Sequence, residues 1–205
     1  MAKRPSPRNR IITAALKLAA DKPWRDVGMD DIADEANVKM DTLTREFRSK
    51  SAILAGINSM IDGAMVKSAG KPDPEETVRD RLFGLLMARF DAMQPNKAAI
   101  LSMLRGTVGI DPRATLAGAC GLAGSMRTAL DAAPVNTGGR LGRLKINGLI
   151  GVYLATARIW MTDETDDLAP TMAALDRNLR RAGQWADMLE KGPFRRPRTE
   201  AAQES

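Results

Sequence analysis

Residues 37–50, NVKMDTLTREFRSK, concentrate side chains that can bind nucleic acid. Lys and Arg can pair with phosphates, while hydroxyl and apolar side chains can contact the edges of bases. Four basic residues stand against two acidic ones, Asp41 and Glu46, so the charge of the segment permits contact with a polyanion. Arg8 and Arg10 are expected to precede the first helix as a basic arm. The remaining candidate DNA contacts are Lys39, Met40, Thr42, Thr44, Arg45, Arg48 and Lys50.

The composition argues against the commonest kinds of catalytic site. The chain has 205 residues, one cysteine, no histidine and a net charge of +6. It therefore lacks the commonest general base and the commonest transition-metal ligand, and no cofactor, metal site or enzymatic activity is expected. The paired carboxylates Asp163 and Glu164 fall in a loop-like run without a partner base. The basic N-terminus is followed by no apolar signal core, and no apolar run approaches the roughly 20 residues of a membrane span, so a cytoplasmic protein is predicted.

The spacing of apolar residues predicts an all-α protein. Three short helices fill the first 50 residues: one ended by Pro23, one that begins after Gly28, and one over about 39–47. A fourth helix extends to about residue 69, and the Pro- and Gly-containing segment 70–76 predicts a domain boundary. Longer helices are expected over 75–93, from Pro112, and over about 141–161 and 168–190, and Pro95 is expected to open a shorter one.

The second and third helices, separated by a three-residue turn, match a helix-turn-helix. A helical hairpin with no role in nucleic acid binding would show the same apolar spacing, so the spacing leaves both interpretations open. The expected small core between these helices consists of Ile32, Ala33, Ala36, Val38, Leu43 and Phe47.

Residues 11–54 resemble, without a gap, the N-terminal domain of TetR-family transcriptional regulators. The matching positions include Ala15, Leu18, Leu43, Phe47 and Lys50. The resemblance implies a homodimer whose subunits carry an N-terminal DNA-binding domain and a larger C-terminal domain for ligand binding and dimerisation. It divides the chain into a helix-turn-helix domain at 1–54 with a connector to about 69, a ligand and dimerisation domain at 70–191, and a disordered tail at 192–205.

Four positions depart from the family pattern. Asn37 replaces the turn glycine and can adopt the same left-handed backbone conformation. Lys39 replaces a capping Ser or Thr, Thr44 an aromatic residue that contacts phosphate, and Glu46 a histidine or similar residue. With Asp41, Glu46 places acids on the expected contact surface, which predicts an unusual operator or weakened DNA contact.

The C-terminal half also resembles, more loosely, a TetR-fold lipid-binding family that assists ubiquinone biosynthesis. A pocket for a small hydrophobic or amphipathic ligand is predicted, because flexible methionines and aromatic side chains can line an adaptable apolar cavity. The same residues can equally fill a core. The candidate pocket residues are Phe83, Met87, Phe90, Met103, Leu122, Met126, Tyr153 and Trp160.

Two further expectations concern packing in this half. Gly118, Gly121 and Gly124 predict a thin helix face for close packing, and Cys120 within it is interpreted as a small buried residue, with redox sensing as the alternative. The last two long helices are the predicted dimer interface.

Two functions follow from these observations. The first is a DNA-binding regulator, a homodimer and a repressor released by an apolar or amphipathic ligand. The second is a lipid-binding accessory protein that keeps the fold without operator recognition. The intact apolar spacing of the third helix favours the regulator.

Overall fold

The computed structural model describes residues 5–71, 73 and 75–191, and the tail predicted at 192–205 lies outside them. Within those ranges the chain forms α-helices and short 3₁₀ helices and contains no β-strand, which confirms the all-α prediction. Among the described residues, no helix combines the length and hydropathy that crossing a membrane requires.

The N-terminal part begins with three short helices. Helix α1 spans Pro7–Asp21, and the Ser6 side chain caps it by accepting from the Asn9 amide at 3.3 Å. A 3₁₀ turn at Trp24–Asp26 leads to α2, Met29–Glu35, and then to α3, Met40–Glu46.

A longer connecting helix and the C-terminal helices follow. The helices are α4, Lys50–Ala69; α5, Val78–Met93; α6, Lys97–Arg105; α7, Pro112–Ala132; α8, Gly139–Trp160; and α9, Ala169–Lys191, with a 3₁₀ turn at Gln94–Asn96 between α5 and α6. These bounds agree closely with the sequence predictions, because prolines and capping residues mark most of the ends. Thr77 and Asp111 cap α5 and α7 through their side chains.

One buried apolar cluster extends through both parts of the chain. Helix α4 packs against α1 at its beginning and against α5 and α7 further along, so it belongs to both parts. Helix α6 packs on α1 and on the Trp24–Asp26 turn, which makes a second connection between the two parts.

Candidate nucleic-acid interface

The turn between α2 and α3 is a compact C-terminal cap. Asn37 has a φ of 50°, the left-handed conformation expected at this position. The amide of Val38 donates to the Ala33 carbonyl at 3.0 Å, and the amide of Asn37 donates to the Asp34 carbonyl at 2.9 Å. This is the hydrogen-bond pattern of a Schellman motif, in which the residue after the helix turns the chain back across the last turn. It fixes the direction in which α3 leaves α2.

Helix α3 is held from beneath by two fully buried side chains. Leu43 has no exposed surface, and Phe47 is 2% exposed. Gly56 of α4 lies against the Phe47 ring so closely that an added Cβ would be 2.6 Å from Cε1 of the ring. The fold therefore positions α3 through buried contacts on one side and leaves the opposite side free.

The free side of α3 carries the predicted contact residues. Thr42 is half-buried, and the Thr44 hydroxyl donates to the Met40 carbonyl at 2.8 Å. Asp41 and Arg45 are four residues apart, are both exposed and share one face of the helix. No side chain caps α3 at Lys39, as its residue type predicts. The exposed side chains are Lys39, Met40, Asp41, Thr44, Arg45, Glu46 and, just beyond the helix, Arg48.

The prediction that Arg8 and Arg10 precede the first helix as a basic arm is wrong, because both residues lie within α1. The Arg10 guanidinium donates to the carbonyls of Ala36 and Asn37 and so supports the turn before α3. Arg8 is exposed and places its guanidinium 4.5 Å from the centre of the Phe47 ring, beside the end of α3. The two arginines therefore differ: Arg10 braces the motif, whereas Arg8 adds positive charge next to α3.

Lys50 is turned inward, which corrects the expectation that it faces DNA. Its ammonium group donates to the carbonyls of Trp24 at 2.6 Å and Val27 at 2.7 Å, and it lies 4.5 Å from the centre of the Trp24 ring. Burial lowers the pKa of Lys50, while the nearby carboxylates Asp26 and Asp31 act in the opposite direction. The positive charge that α3 presents therefore comes from Lys39, Arg45 and Arg48, next to Arg8.

Trp24 joins the N-terminal helices to α6. Its amide donates to the Ser102 hydroxyl at 3.1 Å, and that hydroxyl lies 3.4 Å from the Lys22 carbonyl. Gly106, which ends α6, allows close approach here, since an added Cβ would lie 3.1 Å from Cβ of Trp24. The Trp24 side chain is 2% exposed. A movement of α6 would therefore move the turn between α1 and α2, because the two are in direct contact through Trp24.

The residues predicted to line a ligand pocket pack into the core. Phe83 and Leu122 are half-buried, and the other six members, Met87, Phe90, Met103, Met126, Tyr153 and Trp160, are buried. Tyr153 stacks on Phe90 with ring centres 5.2 Å apart, and Trp160 lies 6.0 Å from Phe90. Phe90, Tyr153 and Trp160 thus pack together inside the C-terminal helices, and this cluster is called the aromatic wall below.

Two open clefts lie elsewhere. One, of about 560 Å³, lies between the end of α1 and α6 and is lined by Trp24, Leu101 and Arg105 among others. The second, of about 410 Å³, lies between α7 and α8 and includes Cys120, Arg127 and Arg143. Neither is lined by the predicted pocket residues.

The predictions for the start of α7 are wrong. Cys120 is exposed, and an added Cβ on Gly118 or Gly124 would meet nothing within 4 Å. At Gly121 the nearest atom is Nδ2 of Asn58 at 3.8 Å. The reason is that the buried side of α7 lies mainly from Ser125 onward, so its earlier turns extend past their neighbours.

Sequence reasoning missed a buried polar cluster between α4, α5 and α7. Arg89 of α5 is 3% exposed and donates through Nη1 to Asp62 and through Nη2 to Oδ1 of Asn58 at 2.7 Å. The Ser125 hydroxyl donates to Asp62 at 2.8 Å, and Nδ2 of Asn58 lies 3.0 Å from the Ser125 hydroxyl. The only sequence signal was an isolated Arg among apolar residues of a predicted core helix.

Asp163 was also missed as a structural residue. It is 4% exposed, and its carboxylate accepts from the amides and hydroxyls of Thr165 and Thr171 at 2.6 to 3.1 Å. Burial raises the pKa of the carboxyl group, but the four hydrogen bonds outweigh burial and hold the pKa at about 2. Asp163 therefore fixes the loop that precedes α9.

Helices α8 and α9 present apolar and small residues outward. Leu144 is 51% exposed and Leu154 50% exposed, and Met172 of α9 is 42% exposed. Gly148 and Gly151 lie between the two leucines on α8 with open space beside them. The exposed residues Leu144, Gly148, Gly151 and Leu154 of α8 and Met172 of α9 are together called the α8–α9 face below.

Comparison with known proteins finds a family likeness in the N-terminal part of the chain. Residues 11–57 match the family model described as "Bacterial regulatory proteins, tetR family", a segment that includes α2, the turn after it, α3 and the start of α4. No curated protein matches the chain.

Solved structures share the fold over nearly the whole chain. A TetR transcriptional regulator from Nitrosomonas europaea is 24% identical with a TM-score of 0.73, covering 88% of this chain and 99% of its own. A TetR transcriptional regulator from a Rhodococcus species is 18% identical with a TM-score of 0.65, covering 86% and 95%. At these identities the likeness establishes the fold.

Proposed function

We propose that this chain, whose residues 11–57 match the TetR family model and whose fold is shared with TetR transcriptional regulators, is a homodimeric repressor that binds an operator and is released by a small ligand. The observation that carries the proposal is α3. Its apolar side is buried, and its other side exposes Lys39, Met40, Thr44 and Arg45. A helix maintained in this way is suited to lie in a major groove.

The exposed residues divide by chemistry. Arg48, Lys39 and Arg8 are suited to phosphates, which fix the position of the protein on the duplex. Arg45 can pair with a guanine edge, and Thr44 can contact a base edge by hydrogen bonding or through its methyl group. Asp41 and Glu46 repel phosphates, so non-specific affinity should be low, although a carboxylate can accept from a cytosine amino group.

The α8–α9 face supports the homodimer. The open glycines of α8 allow a second copy of the same helices to approach closely, and burying the exposed leucines and Met172 against it stabilises the pair. A two-fold dimer of this kind presents two α3 helices, which on B-DNA must be about 34 Å apart to enter successive major grooves.

Release by a ligand is supported by the two connections between the halves. Helix α4 carries Gly56 under Phe47 at one end and Asp62 in the buried cluster further along. Helix α6 contacts Trp24. A molecule that binds against Phe90, Tyr153 and Trp160 would change the positions of both helices. It shifts the DNA-binding equilibrium only if its affinity differs between the DNA-binding conformation and the released one.

The test is selection of genomic fragments by the purified full-length protein at moderate salt, followed by sequencing. The matched variants each lose two exposed arginines: Arg45→Ala/Arg48→Ala on the α3 surface, and Arg105→Ala/Arg113→Ala on α6 and α7. We expect the wild type and the second variant to enrich the same fragments, and the first variant to enrich none. Equal enrichment by all three proteins, or none by the wild type, would contradict the proposal.

A second candidate is a lipid-binding accessory protein without operator recognition, favoured by the exposed carboxylates Asp41 and Glu46 on α3. It predicts no enriched fragment together with lipid that co-purifies with the dimer in native mass spectrometry. Replacing both acids by Asn and Gln separates the candidates further, because a regulator with weak contacts should then gain non-specific affinity for DNA.

A further inference from the structure

One donor in the buried polar cluster is unused. Arg89 has five N–H groups, and its Nη atoms bind Asp62 and Asn58. Its Nε is fully buried and has no hydrogen-bond partner among the described residues. A buried N–H group without an acceptor is costly, and such groups are rare in native proteins. The buried Nε–H of Arg89 is therefore a donor that an oxygen atom of a bound molecule would satisfy.

Arg89 lies next to one member of the aromatic wall, Tyr153. The guanidinium carbon lies 5.4 Å from the centre of the Tyr153 ring, which stacks on Phe90. The Tyr153 hydroxyl donates only to the sulfur of Met93 among the described residues, at 3.6 Å, and a thioether is a weak acceptor. Polar donors and apolar surface are therefore adjacent, which is the usual composition of a small-molecule site.

The charge of the cluster restricts the ligand. Asp62 already neutralises Arg89, and the same carboxylate accepts from Ser125 and Asn58. A second carboxylate on this guanidinium would bring two negative charges together in a buried site, which is unfavourable. Nε–H thus needs an acceptor without charge.

We propose that Arg89 forms the polar end of a ligand site for an apolar molecule with a neutral carbonyl oxygen, such as a ketone or an ester. The oxygen accepts from Nε–H, and the hydrocarbon part lies along Tyr153 and Phe90. Met93, whose sulfur contacts the Tyr153 hydroxyl, is a flexible thioether that makes room by changing rotamer. Only the role of this molecule as the effector rests on the proposed function; the binding site does not.

The ligand would act next to α4. Arg89 holds Asn58 and Asp62, both of which lie on α4, so a ligand on Nε–H changes the group to which α4 is bound. The effect of such a ligand would reach α3 through α4, because α4 also lies against Phe47 at the end of α3.

Two probes with the same ten-carbon chain test the inference: 2-decanone, which is neutral, and decanoate, which is charged. Titration calorimetry with the full-length wild type should give at least tenfold tighter binding of 2-decanone, because a hydrogen bond from a charged group and the avoided like charge both favour it. Equal affinities, or tighter binding of decanoate, would overturn the proposal, and the unused donor would then be left to water.

Two variants locate the effect. Arg89→Lys keeps the charge opposite Asp62 but has no Nε–H, so it should bind 2-decanone about tenfold more weakly than the wild type. Asp62→Asn removes the competing charge and should reverse the preference toward decanoate. Circular dichroism melts establish that each variant is folded. If a variant is unfolded, the wild-type comparison alone decides.

The failure of this inference is separable from that of the proposed function. If the genomic selection enriches nothing but 2-decanone binds as described, the site is correct and the operator proposal fails. If fragments are enriched but the two probes bind equally, the operator proposal holds and the ligand class is wrong. Release of an enriched fragment by 2-decanone in fluorescence anisotropy connects the two.

Discussion

Replacing Lys50 by Met tests whether this residue braces the N-terminal helices or contacts phosphate. The change removes the ammonium group and keeps most of the aliphatic stem. It therefore deletes the hydrogen bonds to the carbonyls of Trp24 and Val27 and the contact with the Trp24 ring. It also leaves both carbonyls without that donor.

The expected loss of stability follows from these contacts. A hydrogen bond from a charged group contributes about 1.5–3 kcal/mol, and the half-exposed position of Lys50 reduces each bond to about 1 kcal/mol. The contact with the ring adds about 0.5–1 kcal/mol. Together they give about 2.5–3 kcal/mol, which for a chain of this length lowers Tm by about 5–12 °C.

The assay combines thermal melts at one protein concentration with DNA-binding titrations over a range of salt, using a fragment enriched in the genomic selection. Lys39→Met is the matched control, because it makes the same chemical change at an exposed residue beside α3. Lys50→Met should lower Tm and leave the salt slope of binding unchanged. Lys39→Met should leave Tm unchanged and reduce the slope by about 0.9.

The reverse result would refute this reasoning. If Lys50→Met melts with the wild type and loses about 0.9 of the salt slope, its ammonium group contacts a phosphate and the inward contacts contribute little.

Three other changes have definite expected outcomes. Gly56→Ala should lower the free energy of unfolding by about 1–3 kcal/mol, because its Cβ would overlap the ring of Phe47. Gly63→Ala on the same helix has open space around it and should raise the free energy of unfolding by up to about 1 kcal/mol. Urea unfolding of both variants compares them. Asn37→Ala should cost about 1–2 kcal/mol in the same assay and Asn37→Gly little, since φ is positive there; equal effects would contradict the strain argument. Because the pKa of Asp163 is depressed to about 2, the stability that its carboxylate contributes is present above the ordinary pKa near 3.8 and is lost as pH falls toward 2. Asp163→Asn should therefore be less stable than the wild type at pH 6 and lose less stability on acidification. Thermal melts from pH 6 to pH 2 measure both.

The sequence predicts the helices and the motif well because their determinants are local. Pro112 and Thr77 mark helix starts, and Asn37 was correctly interpreted as a left-handed turn residue. The apolar spacing of Leu43 and Phe47 correctly predicts which side of α3 is buried. Each of these inferences needs only the residue and its neighbours within about one turn.

The direction of long polar side chains was not predictable in the same way. Lys50 turns inward because the turn after α1 brings two carbonyls to it, and Arg10 does so because the end of α2 lies beside α1. Arg89 and Asp62 are 27 residues apart and meet only when α4 and α5 pack. Spacing also does not reveal how far a helix projects, so the exposure of Cys120 was missed.

The uninterrupted length of α4 has a mechanical consequence. Twenty residues at 1.5 Å each make a rod of about 30 Å, and a tilt of about 10° about its far end displaces the near end by about 5 Å. Arg89 holds this rod near its middle, and Phe47 rests against it near the start, below α3. If the proposed ligand changes one hydrogen-bond partner at the middle of α4, this rigid helix carries the change to its α3 end and enlarges it.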